Sequence, residues 1–181
     1  TRCSTWSTRS EATDRNMTPS TGFPYIAQLD ARILILSSLP GERSIREQQY
    51  YAHPQNAFWR IMAALYDISG DYDARAAQLR EKRIALWDVL HSSVRPGSMD
   101  SDIRAATARP NDFAGFFARH ADIELIAFNG RKAEELFRRF VDPLEVAAGI
   151  RRASLPSTSP AYASMPFSGK LAAWREALQL E

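Results

Sequence analysis

Three short runs of almost unbroken apolar residues constrain the fold of this chain more than any other feature. They read ARILIL at residues 31–36, IALWDVL at 84–90 and ELIAF at 124–128. Runs of this length are typical of strands that are buried on both faces of a parallel sheet. A fourth, less apolar strand is predicted within residues 148–155. With 181 residues, the chain is long enough to bury such a sheet in one core.

Segments with the helical spacing of apolar residues separate these runs. The clearest is residues 54–66, where positions 58, 61, 62 and 65 are apolar. A short polar helix is expected after the first strand, and the other predicted helices cover residues 73–82, 110–120, 131–141 and 167–180. This alternation predicts a parallel sheet with helices on both faces. Ligands then bind at the loops that follow the strands, here 37–44, 88–100, 129–131 and 156–166.

The first 21 residues differ from the rest of the chain. They are rich in Ser, Thr and Arg and show no apolar period. We predict a mobile tail over residues 1–21 and a single domain over residues 22–181. The alternative is that the segment forms a strand or cap folded onto the domain.

The composition excludes several classes of site. A single cysteine, Cys3, rules out a disulfide framework, an iron–sulfur cluster and a cysteine-based zinc site. The three histidines are far apart in the sequence, so we expect no metal site. The net charge of +2 permits nucleic acid as a partner without requiring it. No apolar run is long enough to span a membrane and no secretory signal is present, so we expect a cytoplasmic protein without a membrane partner.

Familiar catalytic motifs are missing as well. The chain has neither the GxSxG of α/β-hydrolases nor the GxGxxG of dinucleotide-binding sites. The SGK at 168–170 resembles the end of a phosphate-binding loop, but Ser164 stands where that motif needs glycine. An enzyme built on this chain must therefore work with loops and a few polar side chains.

Three segments at the predicted strand ends carry the strongest functional signal. They are LILSSLPGERSIREQQYYAHPQNAFW at 34–59, LWDVLHSSVRPGSMDSDI at 86–103 and LPSTSPAYA at 155–163. Together they resemble the uracil-DNA glycosylase superfamily, and within it most closely the hypoxanthine-DNA (deoxyinosine) glycosylases. The AHPxNxFW string is also similar to that of the mismatch-specific uracil glycosylases. The resemblance covers residues 22–180.

This resemblance implies a fold and an activity. The fold is a three-layer α/β/α sandwich around a four-stranded parallel sheet. The activity is hydrolysis of the N-glycosidic bond of a deaminated base in DNA, which leaves an abasic site. Because that bond is not reachable inside the base stack, the nucleotide must be flipped into a pocket. No cofactor is implied, and we expect a monomer whose partner is damaged DNA.

The resemblance places the catalytic role on Asn56. Many superfamily members have Asp or Asn at the third position of the first motif, where this chain has Leu39, which cannot position water. In the hypoxanthine glycosylases the polar role is implied to move to the Asn of the HPxN string. An amide can orient a water and stabilise charge, although it is not a strong base. The alternative is that Asn56 only caps the following helix.

Base binding is predicted for the first two segments. An aromatic at the place of Tyr51 stacks on the flipped base in the mismatch-specific relatives, although the residue can also be a core aromatic. Asp88 follows the second strand, where its carboxylate can accept from N1–H of hypoxanthine or N3–H of uracil, or merely cap a loop. The other residues expected to bind the base are Ser38, Leu39, Pro40, Gly41 and His53.

DNA contacts are predicted for the later loops. The hydroxyls of Ser157, Thr158 and Ser159 can bind phosphate. Asn129 and Gly130 precede a predicted helix, whose N-terminus is a natural anion site, although an ordinary strand–helix turn is an equal alternative. Tyr162 departs from the family pattern and is expected to touch the opposite base or the flank. Further candidate DNA contacts are Ser44 and Lys170, the latter with a solvated charge as its alternative.

The sequence thus predicts a monofunctional glycosylase that acts on hypoxanthine or uracil. No lyase activity is expected, because no lysine or N-terminal amine is placed to form a Schiff base. The alternatives are a uracil glycosylase of broad specificity, a non-catalytic nucleic-acid-binding module of the same fold, and a small nucleoside hydrolase.

Overall fold

The computed structural model describes residues 18–178. Residues 1–17, which make up most of the predicted tail, lie outside the described residues, as do residues 179 and 180 at the end of the last predicted helix. The strands in chain order are β1 (Pro19–Thr21), β2 (Ile33–Ser37), β3 (Ile84–Asp88), β4 (Leu90–Val94), β5 (Arg109–Pro110), β6 (Leu125–Asn129) and β7 (Arg151–Leu155). The helices are α1 (Glu42–Glu47), α2 (Phe58–Tyr66), α3 (Tyr72–Glu81), α4 (Phe113–Arg119), α5 (Arg131–Phe140) and α6 (Phe167–Ala177).

A four-stranded parallel sheet forms the centre of the fold. Its strand order is β3-β2-β6-β7, with β2 paired to β3 on one side and to β6 on the other. Successive side chains of β2 alternate between two cores. Leu34 and Leu36 belong to the core that includes α4 and α5, whereas Ile33 and Ile35 belong to the core that includes α2, α3 and α6. The predicted three-layer α/β fold is confirmed.

A second, smaller sheet was not predicted. The predicted strand 84–90 is in fact two strands, because β3 ends at Asp88 and the chain turns at Val89 into β4. Strand β4 pairs antiparallel with β1 on one side and with β5 on the other. Strand β1 lies in the segment that was predicted to be a tail. That boundary was therefore wrong for Pro19–Thr21, which hydrogen-bond as an edge strand.

Several element boundaries also differ from the predictions. Helix α2 begins at Phe58 rather than at residue 54. Helix α4 begins after Asp112, whose side chain accepts a hydrogen bond from the backbone N–H of Gly115, a common way to start a helix. The fourth strand, Arg151–Leu155, lies within the predicted range 148–155. Among residues 18–178, no helix is long and apolar enough to cross a membrane.

Candidate active site

One cavity of about 580 Å³ lies at the carboxyl ends of the parallel strands. This volume is within the roughly 300–1,000 Å³ that is typical of small-molecule sites. It brings together every residue that the sequence predicted for the site, with the exception of Lys170. Those residues are Ser38, Leu39, Pro40, Gly41, Ser44, Tyr51, His53, Asn56, Asp88, Asn129, Gly130, Ser157, Thr158, Ser159 and Tyr162.

A row of three polar side chains forms the floor of this cavity. Ser37, Asp88 and Asn129 are the last residues of β2, β3 and β6. Ser37 is directly opposite Asp88 in the register, and Leu36 opposite Phe128 places Asn129 on the other side of Ser37. Because the strands are parallel and in register, the three side chains point to the same face. That face is the α2 side, where Tyr51 and Asn56 also line the cavity.

Asp88 is the most buried member of the row, with an exposed fraction of 0%. Its Oδ1 accepts a hydrogen bond from the Ser37 hydroxyl. Its Oδ2 is buried and has no hydrogen-bond partner among residues 18–178. Burial raises the pKa of this carboxyl to about 7, although the hydrogen bond from Ser37 and the charge of Arg95 act in the opposite direction.

Tyr51 is held as a rigid platform beside the row. Its ring stacks on Phe58, with ring centroids 4.1 Å apart and an angle of 27° between the planes. Its hydroxyl accepts a hydrogen bond of 2.9 Å from the side-chain amide of Asn129. Its backbone is in the left-handed region at φ +57°, which non-glycine residues seldom adopt. Since Phe58 covers one face of the ring, a ligand in the cavity can stack only on the other face.

Asn56 lies immediately before α2 and lines the cavity. Its Oδ1 accepts a 3.0 Å hydrogen bond from the backbone N–H of Phe58, the first residue of α2, so the side chain satisfies a free N–H at the helix start although the N-cap position itself is Ala57. This bond fixes the orientation of the amide. A carbonyl oxygen has a second lone pair, and the amide N–H₂ supplies two donors. The capping bond therefore leaves Asn56 able to hold a water molecule in the cavity.

Arg95 holds the loop that contains Leu39, and the sequence analysis missed it. Its guanidinium is buried, and it donates hydrogen bonds to the backbone carbonyls of Leu39 and Pro40. The side chain of Asp100 accepts from the hydroxyl of Ser38 in the same loop. The only sequence signal for Arg95 was its place in the Arg-Pro-Gly-Ser loop after the second predicted strand.

Comparison with known proteins assigns the chain to a family. The family model described as the uracil DNA glycosylase superfamily matches residues 23–179. This chain belongs to the uracil DNA glycosylase superfamily. A protein of Methanosarcina acetivorans named hypoxanthine DNA glycosylase is 41% identical over 145 residues, which cover 77% of this chain and 86% of that protein. A protein of the same name from Methanosarcina barkeri is 35% identical over 161 residues, covering 87% and 97% of the two chains.

A solved structure agrees with this membership of the uracil DNA glycosylase superfamily. It is a solution NMR structure from Methanosarcina acetivorans, described as that of a candidate uracil DNA glycosylase. It is 36% identical to this chain, covers 90% of it and 100% of its own length, and superposes with a TM-score of 0.72. The sandwich described above is therefore shared with this solved structure.

We expect Arg95→Lys to slow base excision by this superfamily member about tenfold. A lysine cannot reproduce the forked guanidinium geometry that reaches two carbonyls at once, so the loop at residues 37–41 loses a fixed shape. Single-turnover excision from a damaged oligonucleotide measures the effect. Arg104→Lys, at an exposed position of the same segment, is the matched control and should keep the wild-type rate. Equal rates for Arg95→Lys and wild type would contradict a positioning role.

Two residues that are predicted to contact DNA form hydrogen bonds within the protein. The buried Asn129 amide donates to Tyr51 and to the hydroxyl of Thr158, and its oxygen accepts from the Thr158 backbone N–H. Thr158 is only 1% exposed. These bonds join the end of β6 to the Tyr51 ring and to the loop after β7, and the predicted contact of both residues with DNA stays a prediction.

The position of Lys170 differs from the DNA contact that the sequence predicts. Its side chain is buried, and its ammonium donates to the backbone carbonyls of Tyr162 at 2.8 Å and Ser159 at 3.4 Å. Burial lowers the pKa of this amine. The residue therefore fastens the loop after β7 and is not placed to touch a phosphate.

The remaining predicted contacts lie around the rim or support it. The Ser44 hydroxyl accepts from the backbone N–H of Ala52 and so steadies the turn that carries Tyr51. His53 is exposed at the mouth, and Tyr162 is 39% exposed on the opposite loop. The hydroxyls of Ser157 and Ser159 each accept a backbone N–H, which leaves their protons for a ligand.

Gly130 allows the last two loops to meet. Its φ of +95° is the left-handed region that favours glycine, and a Cβ here would lie 3.1 Å from the Cβ of Ser157. Helix α5 begins at the next residue, so Arg131 and Lys132 reach the cavity rim. Within residues 18–178, no group of three or more His, Cys, Asp or Glu side chains could hold a metal ion.

Proposed function

We propose that this glycosylase hydrolyses the N-glycosidic bond of deoxyinosine in DNA, releasing hypoxanthine and leaving an abasic site. The observation that carries the proposal is the convergence of Asn56, the Tyr51 ring and the polar row in one cavity. The names of the two Methanosarcina relatives support hypoxanthine as the base.

Recognition of the base follows from the donors and acceptors of the floor. Hypoxanthine carries a proton at N1, whereas adenine has a lone pair there. The Asp88 and Ser37 oxygens are hydrogen-bond acceptors at the closed end of the cavity. A base with an N–H edge is therefore favoured, and uracil shares this feature through N3–H.

Flipping the nucleotide costs a few kcal/mol of stacking and pairing, which the site must offset. A base on the free face of Tyr51 regains about 1–3 kcal/mol of stacking. Because the ring is already fixed by Phe58 and Asn129, little entropy is lost when it receives the base. Arg131, Lys132, Ser157 and Ser159 line the cavity, and we propose that their side chains bind the DNA backbone.

The chemical step needs a water at C1′ of the sugar. Its oxygen forms the new bond to C1′ while the N-glycosidic bond breaks and its electron pair leaves with the base. The proton that the water loses is taken up by the departing base. Asn56 holds this water through its amide, and Leu39 contributes only an apolar wall. An amide is a weak base, so the mechanism requires bond breaking to run ahead of attack, with positive charge developing on the sugar. The protein is proposed to act in this way as a cytoplasmic monomer.

Excision from duplex oligonucleotides that carry one deoxyinosine, uracil or xanthine tests the proposal. Abasic product is read as strand scission after alkali. We expect the deoxyinosine strand to be cleaved fastest, with no borohydride-trapped intermediate. Uracil-led cleavage would overturn the substrate but keep the reaction. Tight binding with no product from any of the three would favour the non-catalytic module, and activity on free nucleosides alone would favour a nucleoside hydrolase.

A further inference from the structure

Ser37 is the central side chain of the polar row, and the sequence analysis gave it no role. It is half-buried at the end of β2 and lines the cavity between Asp88 and Asn129. Unlike Asp88, it has surface exposed to the cavity, so a base on the Tyr51 platform meets Ser37 before it meets the carboxyl.

The hydrogen bond between Ser37 and Asp88 decides what the hydroxyl can offer a ligand. A hydroxyl has one proton and two lone pairs, and an ionised carboxylate only accepts. The Ser37 proton is directed to Asp88 Oδ1. The Ser37 oxygen can then present only lone pairs to the cavity.

The environment of Asp88 favours this hydrogen bond from the Ser37 hydroxyl. Its Oδ2 is buried with no partner among the residues from 18 to 178, so the Ser37 bond is a main source of stabilisation for the carboxyl. Turning the hydroxyl toward the cavity would leave Oδ1 short of a partner as well, and unsatisfied buried polar atoms are costly. While Asp88 is ionised, the polarity of Ser37 is therefore set before any base arrives.

A hydrogen-bond acceptor of fixed orientation is needed because the shape of the cavity cannot discriminate hypoxanthine from adenine. Hypoxanthine and adenine have the same fused rings and differ in the group at C6 and in the proton at N1. A cavity that accommodates one accommodates the other, whereas a hydrogen bond of the wrong polarity leaves buried groups unpaired and discriminates strongly.

We propose that Ser37 is a specificity-determining residue, whose hydroxyl, oriented by Asp88, accepts the N1–H of the flipped purine and rejects purines that carry a lone pair at N1. The inference rests on the proposed function. Asp88 acts here as a positioning residue, and the contact with the base belongs to Ser37.

The test compares single-turnover excision of deoxyinosine with that of purine 2′-deoxyriboside, which has a lone pair at N1 and no substituent at C6. Wild type should prefer deoxyinosine. Ser37→Ala should lower the deoxyinosine rate about tenfold, the loss expected for one buried hydrogen bond, and should not lower the purine rate, which rises if the opposed lone pairs slow the wild type. Ser37→Thr keeps the hydroxyl and should retain the preference. Thermal unfolding followed by circular dichroism checks that each variant is folded.

Each other outcome has a definite meaning. Equal loss on both substrates in Ser37→Ala would reduce Ser37 to a structural role and overturn the inference. If Ser37→Ala keeps the wild-type preference for deoxyinosine, the inference is also overturned, and Asp88 becomes the residue that recognises the N1–H of the base. If the wild-type protein leaves deoxyinosine intact, the proposed function is refuted. This result differs from a failure of the Ser37 inference, in which the wild type is active but Ser37→Ala does not change the ratio of the two excision rates as expected.

Discussion

Asn56→Ala is expected to lower the single-turnover excision rate by roughly 10²–10³-fold, the usual loss when one polar group that acts on the transition state is removed. The reason is that Asn56 lines the cavity and can hold the attacking water. The first motif cannot do this, because it has Leu39 where many relatives have Asp or Asn. The variant should still fold. It loses the hydrogen bond to the Phe58 N–H, which lowers the free energy of unfolding by about 1 kcal/mol.

Asn56→Ser separates the two roles of this residue. A serine hydroxyl can accept the same backbone N–H and so restores the cap, but it lacks the amide. We expect Asn56→Ser to recover the stability lost in Asn56→Ala, measured by urea unfolding, while excision stays as slow as in the alanine variant. If the serine variant excises at the wild-type rate, Asn56 is a helix cap and the water is held elsewhere.

Asp88→Asn is expected to stabilise the protein at alkaline pH. The folded state raises the pKa of Asp88 from 3.8 to about 7, so folding favours the protonated carboxyl. That contribution is fully present below about pH 4 and is lost as pH rises to 7, because the unfolded chain ionises first. A difference of about three pKa units corresponds to as much as about 4 kcal/mol. An asparagine keeps an acceptor for Ser37 and carries no charge to bury.

Urea unfolding of wild type and Asp88→Asn at pH 4.5 and pH 8 measures this effect. The variant should gain little at pH 4.5 and up to a few kcal/mol at pH 8, so the pH 4.5 comparison is the internal control. A gain that is equal at both pH values would point to a packing change instead. A loss of stability at pH 8 would mean that the ionised carboxylate is better satisfied than its unpartnered Oδ2 indicates.

The main sheet could be predicted from sequence because its strands are short, apolar and separated by helices. The small sheet could not. Strands β1, β4 and β5 read PST, LHSSV and RP, which carry neither an apolar run nor a clear alternation. Their pairing depends on long-range contacts, such as Pro19 opposite Val94, that no local pattern records.

The composition of the candidate site was largely predictable, but the roles of single residues were not. Motifs at strand ends predict which residues meet, because the sheet topology gathers those ends. They do not show which polar atoms are already paired. Lys170, Thr158 and Asn129 looked like surface contacts, yet each is buried and bonded within the protein. Arg95 and Ser37 acquire roles only once the neighbouring loop and strand are in place.

The polar row at the sheet edge also constrains folding. Side chains alternate along a strand, so a slip of one residue between neighbours would turn that strand's last side chain toward the opposite core. For β3 this would press the Asp88 carboxyl among the phenylalanines of α4, and for β6 it would place Asn129 in the same core, near Phe137 of α5. Each misaligned sheet would bury an unsatisfied polar group. The polar residues that form the cavity floor thus also favour the correct strand register, because they destabilise the misaligned sheets. Selection that preserves the cavity therefore also acts against misfolding.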